Sequence, residues 1–176
     1  MWLENLWCDS VVIDGAPSPA GGYTMLLAAI VPPDGSDTAA AQHFYVLEAF
    51  TNIAGLHAAM KAVGMSAELV SEMRLSSVAP DEVTVTVGGS SPFTATFRDG
   101  DPTTVHTHNW FYWRAGDKGR VRIHVEFSGD VGRRGPTATF SGAPGTALND
   151  LLGNQAIGVA MSEPSSARLA LTLGTP

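Results

Sequence analysis

Residues 104–127 read TVHTHNWFYWRAGDKGRVRIHVEF, and the alignment of the two flanks of this stretch decides the fold. Apolar and polar residues alternate on both flanks, as they do on a strand whose successive side chains point to opposite faces. Ala115-Gly116-Asp117-Lys118-Gly119 between them carries turn chemistry, with Gly119 suited to the left-handed residue of a type I turn with a bulge. The stretch predicts a hairpin with a five-residue loop, which sets Arg114 opposite Arg120, Trp110 opposite His124 and His108 opposite Glu126. Val105, Phe111, Trp113, Val121, Ile123, Val125 and Phe127 then share an apolar face. His106, His108, Trp110, Tyr112, Arg120, Arg122, His124 and Glu126 share the polar one.

The same alternation runs outward from this hairpin. Val83-Thr84-Val85-Thr86-Val87 and Phe93-Thr94-Ala95-Thr96-Phe97 flank a Gly, Ser and Pro turn and predict a second hairpin. Residues 136–141 and 168–173 predict two further strands, and the apolar runs at 10–14, 23–31 and 42–50 predict buried ones. The Pro-rich segment 32–37 reads as a surface loop. Residues 51–64 break the pattern: Ile53, Leu56, Met60 and Val63 recur at helical spacing, Thr51 or Asn52 is placed to cap the start, and Gly64 to end it. A second short helix is expected at 66–75, with Leu69, Val70 and Met73 inward, and a last one at 147–152 between Thr146 as cap and Gly153 as stop. Closely spaced strands with Gly-rich turns argue for an antiparallel sheet structure. The expectation is a mainly β chain, a single-domain antiparallel β-sandwich or barrel over residues 1–176, with a helical insert at 51–75 and a short helix near 147–152.

Composition narrows the function classes. The chain has 176 residues, 44% hydrophobic and 15% charged, which suits one hydrophobic core. Its formal net charge of -7 offers no basic surface to hold a phosphate backbone, so nucleic acid is a poor partner. Cys8 is the lone cysteine, which excludes an intrachain disulfide and a multi-cysteine zinc site. The N-terminal Met-Trp-Leu-Glu-Asn-Leu-Trp has no basic region ahead of an apolar run, and the apolar run at 25–31 is too short to span a membrane as a helix. A soluble chain made in the cytoplasm without a signal peptide is expected.

Chemistry gathers only on the long hairpin. His106 and His108 two apart on one strand, with His124 and Glu126 on the next, form a set able to hold one divalent transition metal if all point to one face. Gly100, then five residues, then His106-Thr107-His108, and later Gly119, resembles the first half of the cupin metal motif over about 20 residues. That resemblance implies a small β-barrel with His106 and His108 as ligands. Tyr112 stands where the cupin glutamate would fall, and no histidine follows His124 to serve as the distal ligand. A lipocalin-like barrel binding a small ligand is the related alternative.

The simpler reading of that polar face is a solvated or partner-covered sheet surface. Trp110 and Tyr112 beside Arg120 and Arg122 have the composition of interface centres, and Trp2 and Trp7 add two large aromatics near the N-terminus. Cys8 reads as a small apolar residue, and His43 and His57 as edge or surface residues. Phosphate-loop, dinucleotide, zinc-protease and nucleophile-elbow motifs are missing, and the pairs Asp81-Glu82 and Asp99 with Asp101 fall where carboxylates stay hydrated. Without a complete catalytic set or a required cofactor, the expectation is a non-catalytic structural or interaction subunit of a larger assembly, such as a small virion or phage-tail protein. It would act through protein partners or self-association.

Overall fold

The computed structural model describes residues 2–31, 41–79, 82–98, 102–104, 108–116, 119–128, 131–133, 138–152, 156–157, 161–163 and 166–173. Those residues form a mainly β chain with two helices. The first strands are β1 (Trp2–Cys8), β2 (Val11–Ile13), β3 (Ala16–Ser18), β4 (Gly21–Ala29) and β5 (Ala41–Thr51), followed by helix α1 (Ala54–Ala62). Next come β6 (Glu68–Leu69), β7 (Met73–Ala79), β8 (Glu82–Val87), β9 (Phe93–Arg98) and β10 (Pro102–Thr104). The long hairpin supplies β11 (His108–Gly116) and β12 (Gly119–Ser128), and β13 (Val131–Arg133) and β14 (Ala138–Gly142) lead to helix α2 (Ala147–Leu152). The chain ends on β15 (Ala156–Ile157), β16 (Met161–Glu163) and β17 (Ser166–Leu173). His106, the loop at 32–37, the Asp117-Lys118 bend and Gly153 lie outside the described residues.

The strands divide between two compact units, one drawn from residues 1–69, 107–128 and 165–176, the other from 70–106 and 129–164. The first unit is built on a seven-stranded sheet in the order β1-β4-β5-β11-β12-β17, with β6 beside the end of β5. The pairing within this sheet is antiparallel except at β5, which runs parallel to both β11 and β6. None of the sheets closes into a barrel among the described residues.

Bulging explains why the alternation in 42–50 is blurred. Leu26 pairs with Glu48 but Leu27 pairs with Val46, so Leu47 is an extra residue on β5. The slip keeps Phe44, Val46 and Ala49 in one core with Tyr23, Met25 and Leu27 of β4, and Val121, Ile123 and Val125 of β12 complete it. Helix α1 packs here through Leu56 and Met60, the face its spacing predicts.

The ends of α1 are set by backbone geometry. Gly64, at φ +80°, donates to Lys61 O at 2.9 Å and Met65 N–H donates to Met60 O at 2.9 Å, the paired closure of a Schellman motif. At the other end Ile53 occupies the cap position and no side chain caps it. Thr51 instead ties the corner together: its hydroxyl donates to Gly22 O at 2.8 Å and accepts from Ile53 N–H at 3.1 Å.

The second helix expected at 66–75 is not formed. Residues 68–69 and 73–79 are extended, and β7 joins β8 in an antiparallel pair that matches Leu75 with Val85. Short apolar runs carry the same composition in a buried strand and a helix, and here the open edge of β8 decides. The second unit centres on the five-stranded sheet β15-β14-β9-β8-β7. The hairpin expected at 83–97 forms its middle, with Val87 opposite Phe93 and Val85 opposite Ala95. Phe93 and Phe140 stack in its core at 5.4 Å. Thr146 caps α2 as expected, its Oγ1 accepting from Asn149 N–H at 3.3 Å.

Candidate functional site

The long hairpin forms, but one residue out of the expected register. Pairing continues to Gly116 opposite Gly119, so a two-residue connection replaces the five-residue loop. Phe111 therefore faces His124, Trp113 faces Arg122 and Tyr112 faces Ile123. A slip by one turns every side chain of β11 to the other side of the sheet. Gly116 permits the close ending: a Cβ there would lie 2.5 Å from Gly64 O, at the C-terminal end of α1.

This register corrects the placement of several candidate residues. Tyr112 is completely buried in the core cluster rather than available to a partner, and Trp110 packs against that cluster half-buried, its ring 5.7 Å from Phe44. Phe111 and Trp113, expected in the core, lie on the opposite face with Arg122 and His124. His108 pairs with Phe127, in step with Trp110 and Tyr112, whereas His124 pairs with Phe111. His106 and the side chain of His108 lie outside what the structure describes, and His124 is placed beside Phe111. Among the described residues no group of three or more His, Cys, Asp or Glu side chains gathers to hold a metal. Glu126 is exposed, opposite Asn109 and Arg168. Arg120 is half-buried opposite Ala115. Trp2 and Trp7 lie on edge strand β1, opposite Leu27 and Gly22.

What the register brings together instead is a row of rings across β5, β11 and β12. His43, Phe111 and His124 are direct cross-strand neighbours. His43 stacks on Phe111 at 5.3 Å, and Phe111 on His124 at 4.6 Å. The adjacent row holds Tyr45, Trp113 and Arg122. Trp113 Nε1–H donates to His43 Nδ1 at 3.1 Å. The Arg122 guanidinium lies 5.6 Å from the Phe111 ring centre and 6.0 Å from that of Trp113, in cation–π range. His43 and Trp113 are buried, while Phe111, Arg122 and His124 stay half-buried. His43, read from sequence as an edge residue, is the hub of this face; its sole sequence signal is its place beside Phe44 and Tyr45 on an apolar strand.

A second constellation, on the core side, centres on a residue the sequence reading passed over. Glu4 of β1 sits opposite Met25 and turns its carboxyl inward. Tyr23 Oη donates to Glu4 Oε1 at 3.0 Å, and Tyr112 Oη donates to Glu4 Oε2. Removal from water pushes the Glu4 carboxyl up to about 7, against the opposing pull of the Tyr112 and then the Tyr23 hydrogen bond. Burial, and then the charge on Glu4, raise both tyrosines well above the ordinary phenol range. Cys8, half-buried at the end of the same strand, is raised by burial and then by Asp9, which leaves it a thiol.

Comparison of the chain with protein-family models, curated proteins and solved structures gives no match. Among the described residues no helix is long and apolar enough to cross a membrane.

Proposed function

We propose that the chain is a non-catalytic structural or interaction subunit of a larger assembly, a small virion or phage-tail protein being its concrete form, and that it docks through the ring-bearing face of β11 and β12. The observation that carries this reading is the Arg122 guanidinium held over Phe111 and Trp113, with His124 stacked on the same Phe111. Aromatic rings and arginine supply most of the energy at protein interfaces, and stacking pre-orders both before a partner arrives. A guanidinium is matched in shape and charge to a carboxylate, so a carboxylate-bearing partner suits this face. With an acidic chain of net charge -7, a second copy supplies such carboxylates.

Sedimentation velocity over a wide concentration range tests this reading. The wild-type chain is expected to self-associate, and Arg122→Ala to weaken association by about thirtyfold, equivalent to roughly 2 kcal/mol. A wild-type chain that stays monomeric throughout, or a variant that associates as tightly, overturns the proposed docking face.

A further inference from the structure

The Glu4 cluster joins a sheet edge to the interior of the first unit. Among the described residues β1 pairs with β4 alone, whereas β4 lies between β1 and β5 and β11 lies between β5 and β12. The carboxyl of a strand held on one side is therefore gripped by hydroxyls from two strands that are each held on both sides. With a proton on Glu4, three oxygen-bearing groups share three protons and the cluster is neutral. Without it, a negative charge sits half-buried on the core side of β1, opposite Met25, with two donors to offset it.

No described charged group facing the cluster answers that charge. From β4 it meets Tyr23, and from β11 Tyr112, with Arg114 two residues farther along and drawn toward Glu48. From β12 the core side presents Val121, Ile123 and Val125, and from β5 Phe44, Val46 and Ala49. Helix α1 buries Leu56 and Met60, leaving His57 and Lys61 off that face. On β1 itself the further titratable group is Cys8, beside exposed Asp9. The charge is relieved most cheaply by moving the strand that has one neighbour.

We propose that Glu4, Tyr23 and Tyr112 form a proton-operated latch on edge strand β1: protonated Glu4 holds the strand on β4, and its ionisation loosens β1 while β11 and β12 stay in place. The device is independent of the docking face and of any partner.

Amide hydrogen exchange tests it, read as protection factors so that intrinsic rates cancel. Between about pH 5.5 and about pH 8.5, protection of the β1 amides in the wild-type chain is expected to fall about tenfold or more relative to those of β11 and β12. In Glu4→Gln, which cannot ionise, the relative protection is expected to stay flat. Equal behaviour of β1 and the interior strands in the wild type, or the same fall in Glu4→Gln, overturns the latch. A carbon-13 titration of the Glu4 carboxyl in the wild-type protein gives a second readout that needs no variant. A midpoint near neutral is expected, moving upward in Tyr112→Phe because a donor to the carboxylate is lost. A midpoint in the ordinary carboxylate range, or one unmoved by Tyr112→Phe, also overturns it.

Discussion

Glu4 shows how far a single side chain can tie stability to pH. Its carboxyl is raised from 4.5 to about 7 in the folded chain, so the native state binds a proton more tightly than the unfolded one. The stability it contributes is fully present below about pH 4.5 and is lost as pH rises through about 7. Glu4 as a residue is half-buried, and solvent screening trims the full linkage value to on the order of 1–3 kcal/mol. Urea denaturation at about pH 5.5 and about pH 8.5 is expected to show a lower midpoint at the higher pH, with an unchanged slope, and Glu4→Gln to remove most of the difference. Equal wild-type midpoints would show that the carboxyl ionises freely in the fold. None of this was legible in the sequence. Glu4 stands in an N-terminal stretch that alternates too weakly to declare a strand, and its two partners are 19 and 108 residues away. A buried carboxylate leaves a local trace only when its partner is a sequence neighbour, and here both partners come from other strands.

At the level of elements, the corner between β5 and α1 and the close approach of β1 to β4 make separate predictions. Thr51 is completely buried, and its hydroxyl satisfies both Gly22 O and Ile53 N–H. Thr51→Val keeps the shape and leaves the Ile53 amide unpaired, which should cost about 1–3 kcal/mol in a urea melt. At Gly22 an added Cβ would stand 2.2 Å from the Leu6 carbonyl oxygen, an atom of the backbone that cannot step aside. Gly22→Ala is expected to lose about 2 kcal/mol or more and to loosen β1 selectively by hydrogen exchange, whereas a loss confined to other strands would place the strain elsewhere. Elements with strong periodicity were readable: the 83–97 hairpin, the inward face of α1 and the Thr146 cap all follow their residues. The register of β11 was not, because Trp110, Phe111, Tyr112 and Trp113 make both faces of the strand aromatic and alternation then carries no sign. What fixes that register lies outside the hairpin, in the apposition of Gly116 to Gly64 and the parallel pairing of β11 with β5. The His43 stack arose from that register.

For the whole molecule, the order in which segments return along the chain governs how it folds. The first unit is completed by residues 107–128 and 165–176, each reached after a segment belonging to the second unit. β5 must find β11, and β12 must find β17, across those intervening segments, so loop closure precedes most of the burial that rewards it. Refolding is expected on the millisecond-to-second scale of non-local β structures, not the microsecond scale of helical bundles. Tyr112 offers a probe of that order, since its bond to Glu4 joins the N-terminal edge strand to β11. An edge strand held on one side gains least from early docking, and β1 should join the sheet after the transition state. Tyr112→Phe at about pH 5.5, where Glu4 keeps its proton, removes one hydrogen bond worth about 1 kcal/mol. Stopped-flow fluorescence should then show unfolding roughly fivefold faster with the refolding rate nearly unchanged. A variant that instead refolds more slowly would put β1 and its cluster in the nucleus, and the edge strand would then direct the assembly of the sheet.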